Sequence, residues 1–351
     1  MPEQITTKHL LKFTISFCIV LVIQGCNNHE ENNLPFFDRD LDYTSVEVSN
    51  SYMFEEIFNP GWSGFRVIND KVYVPEVNNE EVAFHVLDIV DENGSLVYEQ
   101  GFGRSGQGPG EFLEINDIVA TDSLIYIYDG NQLKMVSFDP LSEELATHHD
   151  ILIRTSGRPS NIYSYAENQF VGLGLFRESR FMIMDSNGET VSEHGELIEF
   201  NSDFSTRDIA LSWRSIGTVH PYEPFVYLFS VNADFIEKYD HDGRLIKQVQ
   251  GKDNPLPNME IVNEWPFNAG PISYISVDSD ENYIYALYSG LSWEDYRLSG
   301  NIIHKFDWDL NLVDAYKLDQ RFNTITVDGN GNLYTFGETD DGIEFYVYNL
   351  F

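Results

Sequence analysis

A unit of about fifty residues recurs along this chain from Lys71 to its C-terminus. Each copy has an apolar strand-like run with an aromatic anchor, a turn, a second run closing on an acidic turn, and a third run. The clearest copies are LIYIYDGNQLKMVSFDPLSEELATHHDI from Leu124, FVYLFSVNADFIEKYDHDGRLIKQVQG from Phe225, and YIYALYSG with NIIHKFDWDLNLVDAYKL from Tyr283. Their second runs close at Asp139, Asp240 and Asp307. Copies from Lys71 and Gln169 follow the same grammar more weakly, and LYTFGETDDGIEFYVYNLF from Leu333 starts a sixth. The anchors Tyr73, Tyr126, Phe170, Tyr227, Tyr285 and Tyr334 are 53, 44, 57, 58 and 49 residues apart. Such a unit cannot bury both its faces alone, so copies must stack, and six copies built of short strands predict an all-β, six-bladed β-propeller.

Four-stranded antiparallel blades require an innermost strand ahead of each anchor. INDIVATD (115–122), PISYISVD (271–278) and FNTITVD (322–328) fit that role, with SNIYSYAE and DIALSWRS as weaker matches. Second strands such as Ile125-Tyr126-Ile127-Tyr128 are apolar on both sides, as a sheet sandwiched between sheets requires. The last copy ends at Phe351 without an outer strand, while YTSVEVSNSYMFEEIF, residues 43–58, is strand-like and precedes the first blade. The expectation is that this N-terminal segment closes the last blade, which removes an exposed sheet edge.

The start of the chain reads differently. Lys8 and Lys12 precede an apolar run, Phe13 to Ile23, that is too short to span a bilayer as a helix, and Gln24-Gly25-Cys26 follows. That ending resembles the lipobox of bacterial lipoproteins. The resemblance implies a signal peptide over 1–25, an acylated (palmitate-bearing) Cys26, a flexible acidic linker over 26–42, and a propeller over 43–351. Asn27-Asn28-His29-Glu30-Glu31 is similar to the sorting region of outer-membrane lipoproteins exposed on some Gram-negative surfaces, so a cell-envelope, outer-membrane location is implied. Cys18 and Cys26 are the two cysteines, so the propeller has no disulfide and no thiolate metal site. With 42% apolar and 14% aromatic residues, the chain is composed like a packed protein. A net charge of −36 repels phosphate backbones and argues against nucleic acid as a partner.

GFGRSGQGPGEF, residues 101–112, begins with the letters G-x-G-x-x-G of a dinucleotide fingerprint. No helical pattern follows it and no Gly-Lys-Ser/Thr closes it, so a rim-to-axis crossing loop explains the glycines better than a phosphate cradle. Arg104 is the one residue there suited to a ligand. The stretch from Phe102 to Asp139 resembles an NHL-type propeller repeat. Together with the lipobox and YIYALYSG, it resembles the TolB-like six-bladed propeller lipoproteins of Gram-negative bacteria.

Candidate chemistry is sparse. The nine histidines form no H-E-x-x-H, and His85, His241, His304 and the pair His148-His149 read as satisfied surface residues. Asp139, Asp240, Asp278 and Asp328 open acidic turns whose side chains can cap the backbone; two of these, 278–282 and 328–332, superficially resemble calcium loops, so no cofactor is required and calcium remains open. No nucleophile elbow is present. Tryptophan and arginine near the starts of blades are the best ligand candidates: Trp62 and Arg66 ahead of the first blade, Trp213 and Arg214 in the inner strand DIALSWRS, Trp265 ahead of another, and, in the insertion GLSWEDYRLSG, Trp293 and Arg297. The expected role is a monomeric binding or scaffold module whose channel face meets a protein, peptide or glycan, with the membrane met only through the anchor. The alternative is a hydrolase of lactones, esters or phosphates with a divalent cation in its channel.

Overall fold

The computed structural model describes residues 36–37 and 42–350, apart from 122, 143, 146–149, 156, 167–168, 177, 200–203, 252–253, 264 and 293–298. Six antiparallel sheets of four positions each follow one another along the chain. Blade 1 comprises Arg66–Ile68, Lys71–Pro75, Phe84–Ile89 and Leu96–Phe102. Blade 2 has Ile115–Ala120, Ile125–Asp129 and Lys134–Asp139, with its outer position split between Glu144–Leu145 and Ile151–Leu152. Blade 3 contains Arg158–Tyr165, Gln169–Leu175, Phe181–Asp185 and Thr190–His194; blade 4 contains Ser215–Val219, Val226–Ser230, Phe235–Tyr239 and Leu245–Gly251. Blade 5 is Tyr274–Ser279, Tyr283–Tyr288, Gly300–Asp307 and Leu312–Phe322. Blade 6 is Thr326–Val327, Asn332–Thr339 and Gly342–Asn349, completed by Asn50–Met53. All six aromatic anchors fall in second strands.

The core is divided among the seams between blades. Val72, Val74 and Leu87 of blade 1 pack on Tyr334, Phe336 and Phe345 of blade 6. On its other side, Tyr73, Phe84 and Val86 meet Ile118, Ile127 and Phe138 of blade 2. Equivalent clusters join blades 2 and 3, 3 and 4, 4 and 5, and 5 and 6. Because both faces of a middle strand are covered, all five residues of Val226–Ser230 are buried.

Closure by the N-terminal segment is observed. Asn50–Met53 lies antiparallel to Gly342–Asn349, with Asn50 opposite Val347 and Tyr52 opposite Phe345. Upstream, Thr44–Val46 runs parallel to the outer strand of blade 5, and Phe36–Phe37 runs parallel to that of blade 4. One segment therefore covers the rims of three consecutive blades.

Two expectations need correction. DIALSWRS is not a strand: Thr206–Ser212 forms the helix α1, and the inner strand of blade 4 starts at Ser215. A capping box explains this, since Ser205 Oγ accepts the Asp208 N–H while the Asp208 carboxylate accepts the Ser205 N–H. Arg66, expected ahead of the first blade, is the first residue of its inner strand.

The glycine-rich stretch does cross from the rim of blade 1 toward the axis of blade 2. Within it Arg104–Ser105 pairs in parallel with Glu111–Phe112, and the Glu111 carboxylate folds inward to accept the Gly108 N–H at 2.8 Å and to meet Arg104. A Cβ on Gly106, at φ 156°, would lie 2.0 Å from that carboxylate. The loop thus fills its own anion nest with Glu111.

Candidate functional site

The first strands of the blades surround the axis, and polar contacts tie several neighbouring ones together. Arg66 of blade 1 pairs with Asp117 of blade 2 at 3.2 Å; Asp117 in turn accepts from Asn161 Nδ2 and the Ile162 N–H of blade 3, each at 3.2 Å. Thr218 of blade 4 and Ser279 of blade 5 share a 2.9 Å hydrogen bond. Asp278 of blade 5 accepts from Thr326 Oγ1 at 2.5 Å and from the Val327 N–H at 3.0 Å in blade 6. Thr326 Oγ1 also accepts the Val67 N–H at 2.8 Å, joining blade 6 back to blade 1.

At the end where the inner strands begin, a cavity of about 460 Å³ opens on the axis, and every blade contributes to its wall. Trp62 and Arg66 come from blade 1 and the loop ahead of it, Asn116 from blade 2, and Arg158, Asn161 and Tyr163 from blade 3. Arg214 and Ile216 come from blade 4, Ser276 from blade 5 and Thr324 from the approach to blade 6. Gly64, at φ 74°, lets the Trp62 loop lie against blade 2: a Cβ there would be 3.2 Å from the Asp117 backbone. Trp62 is 48% exposed.

Charge on this wall is one-sided. Its residues include three arginines, and among the described residues that line it there is no Asp or Glu, although the chain holds 57 acids against 21 bases. The nearest carboxylates, Asp117 and Asp278, are set back and committed to the network. Burial pushes both above the ordinary carboxylate pKa, against the pull of Arg66. Burial also opposes the charge on Arg66, but Asp117, Tyr163 and Asp278 outweigh it, so its pKa rises and the guanidinium stays charged. Arg66 lies over the Tyr163 ring at 5.7 Å, and burial drives the Tyr163 phenol up. Arg158 donates to Asn131 Oδ1 at 2.7 Å. The Arg214 side chain forms no ion pair or hydrogen bond with the described residues and is exposed. A pocket of this kind attracts anions and offers planar forks and aromatic faces to hold them.

Of the residues expected to contact a ligand, the structure brings Trp62, Arg66 and Arg214 together. It puts three others elsewhere. Arg104 is paired with Glu111 on the crossing loop. Trp213 is buried, its Nε1–H donating to Ile198 O at 2.7 Å and its ring packed on Phe235 and Arg180. Trp265 stands on the hairpin Met259–Val262 and Trp265–Asn268, outside the blades, with Arg207 of α1 over its ring at 4.5 Å. Trp293, Arg297, Cys26 and His148-His149 lie outside the described residues.

Sequence reading passed over Asn116, Asp117, Arg158, Asn161 and Tyr163. The available signal was polar residues inside inner strands that are otherwise apolar. Asp278 is also corrected, because it bridges blades while Asp280 caps the turn through the Asn282 and Tyr283 N–H groups. Asp139, Asp240 and Asp328 do accept from backbone N–H groups of their own turns. His85 and His304 are core residues, not surface ones: His85 sits between Glu76 and Tyr98, and His304 stacks on Tyr288 with Tyr274 Oη 3.3 Å from its Nδ1. His241 is exposed beside Asp242.

Among known proteins, the TolB-like 6-blade propeller-like family matches residues 94–330, more than half of the chain. A search of curated proteins finds no match. The structure is similar to an exported-protein candidate of Bacteroides fragilis, with 12% identity over 88% of this chain and 94% of that one at a TM-score of 0.55. It is also similar to a DUF4221-family protein of Bacteroides vulgatus, with 11% identity, coverage of 87% and 97%, and a TM-score of 0.55. At such identity these likenesses concern the fold. Among the described residues no helix is long and apolar enough to cross a membrane.

Proposed function

The chain belongs to the TolB-like six-bladed propeller family, and from that premise we propose an exported binding module whose channel mouth receives a peptide or glycan. On this reading residues 1–25 are a signal peptide, acylated Cys26 anchors the protein in the outer membrane, and residues 26–42 tether the propeller. One observation carries the binding role: the axial cavity, walled by all six blades and rimmed by an exposed tryptophan. Its volume falls within the range of small-molecule sites. Stable seams fix the wall while the side chains at its mouth remain free to meet a ligand.

The cation-dependent hydrolase fits this wall less well. A bound divalent ion wants carboxylate oxygens open to the cavity. Here the nearest ones serve Arg66, Asn161 and Thr326, and guanidiniums face the space instead. Millimolar calcium should therefore leave the melting temperature unchanged, and a clear rise after EDTA treatment and calcium addition would restore the enzyme reading.

Binding is tested by titrating peptide and glycan panels against the purified protein and its Trp62→Ala variant while following intrinsic fluorescence. Loss of affinity in a variant with unaltered melting supports the site; equal affinity removes it. Cys26→Ser followed by fractionation tests the anchor, which is wrong if the variant still partitions as a lipid-modified membrane species.

A further inference from the structure

We infer that the cavity selects an acidic carbohydrate, a sugar carrying carboxylate or sulfate groups. The inference rests on the binding role proposed above for the same cavity and adds the chemistry of what it takes. Three features of the wall point the same way.

The first is charge. In a protein of net charge −36, a solvent-open space lined by three arginines and no described acid is a local inversion of the field. Like charge over the rest of the surface repels anions, so retaining one requires this focused positive wall. Arg66 is matched by Asp117, with Asp278 nearby, and cannot by itself favour an anion. Arg158 and Arg214 carry the excess: Arg158 donates to the neutral Asn131 side chain and forms no ion pair among the described residues, and the Arg214 side chain forms neither an ion pair nor a hydrogen bond with them. Guanidinium forks match carboxylate and sulfate oxygens in bidentate geometry.

The second is the neutral polar lining. Asn116, Ser160, Asn161, Ser276, Asn323 and Thr324 place amides and hydroxyls around the same space. Amides and hydroxyls both donate and accept, which suits a ligand bearing many hydroxyl groups. A peptide would more commonly be held along a sheet edge; each blade's inner edge does face the axis here, but its Val67, Ile162 and Val327 N–H groups are already taken by side chains of neighbouring blades.

The third is Trp62, whose exposed ring gives an apolar face at the cavity mouth. Aromatic faces take the C–H side of a sugar ring while its hydroxyls reach the wall.

The test is calorimetric titration of the purified full chain with four probes: digalacturonate, a sulfated disaccharide, neutral cellobiose and the peptide Glu-Glu. Either acidic sugar should bind at least about tenfold tighter than cellobiose, and added salt should weaken it. Preference between the first two probes tells uronate from sulfate. Arg158→Gln and Arg214→Gln should each reduce affinity about tenfold without moving the melting temperature, because both side chains are exposed and neither forms an ion pair among the described residues. Arg214→Lys should recover part of the loss.

Equal binding of cellobiose, with Trp62→Ala abolishing it, overturns the charge assignment and leaves the binding role intact. Tighter binding of Glu-Glu than of either sugar overturns the carbohydrate assignment. No heat with any acidic sugar at millimolar concentration overturns the inference, and affinities indifferent to Trp62→Ala and both arginine variants remove the cavity itself.

Discussion

Asp91, Asp139, Asp185, Asp240 and Asp307 hold one position in five successive blades, the turn between third and outer strand, whereas Asp117 and Asp278 stand on inner strands at the axis. Each turn aspartate accepts N–H groups two or four residues ahead, as when Asp185 Oδ1 takes those of Asn187 and Glu189 at 2.9 and 3.0 Å. These donors lower the Asp139 and Asp185 pKa values, and the Ser95 hydroxyl and N–H do the same for Asp91. The axial pair shifts the other way, upward by burial, with Arg66 pulling against it. The difference separates a carboxylate that completes its own turn from one that must be matched across blades. The former repeats because five blades share that turn; the latter appears where the blades meet around a site.

One link of the axial network needs a closed ring, since the Val67 to Thr326 hydrogen bond crosses the seam between first and last blades. Deleting residues 43–58 removes the closing strand and exposes the edge of Gly342–Asn349. We expect the largest effect here, a fall in melting temperature of roughly 10 °C or more by differential scanning calorimetry. A truncated protein as stable as the parent would show that closure does not hold the axis together.

Next in size is Arg66→Met. It leaves Asp117 buried without its partner, and breaking a buried pair costs about 3–5 kcal/mol. Urea unfolding should report that loss, and adding Asp117→Asn should return most of it by removing the stranded charge. If the single variant is as stable as the parent, or the second change makes matters worse, the axial aspartates are not matched by Arg66.

This contrast also explains how far the sequence could be read. The seam residues and turn aspartates recur every fifty residues or so, and repetition makes weak local signals legible. Trp62, Arg66 and Arg214 were legible because loops leading to inner strands converge at the axis. Tyr163 was hidden within a strand read as structural, Arg158 stood just ahead of that reading, and Asp278 was hidden by Asp280, which does the turn work two residues later. DIALSW alternates like a strand, yet the Ser205 and Asp208 caps start a helix there. Trp213 is held in its core position by the Ile198 carbonyl, a contact made within the long segment that crosses from blade 3 to blade 4.

Acidity distinguishes the two sets by sign. Asp185, with its lowered folded pKa, contributes stability that is complete above the ordinary value of 3.8 and is lost as pH falls through the folded value. Asp117, with its raised folded pKa, binds its proton more readily when folded, so its contribution improves as pH falls from neutral toward 3.8. Melting temperatures measured from pH 7 down to pH 3 should therefore show the parent gaining on Asp117→Asn as acid is added. Against Asp185→Asn the parent should keep a constant advantage and lose it only at the acid end. Parallel curves for the two variants would erase the distinction.

Asp185→Ala at neutral pH should have the smallest effect of the series. The carboxylate is exposed, and the turn it caps also has Gly188 at φ 78° and a Gly188 N–H to Asp185 O hydrogen bond of 3.0 Å. Losing the side chain frees two N–H groups to water, which can replace their acceptor, so the melting temperature should drop by no more than a few degrees. Hydrogen exchange should locate the change at residues 187–189 and leave the axis protected. Faster exchange at Ile118 or Ile162, whose N–H groups are held by Asp117, would mean that turn and axis share one cooperative network and that the two sets of aspartates are not independent.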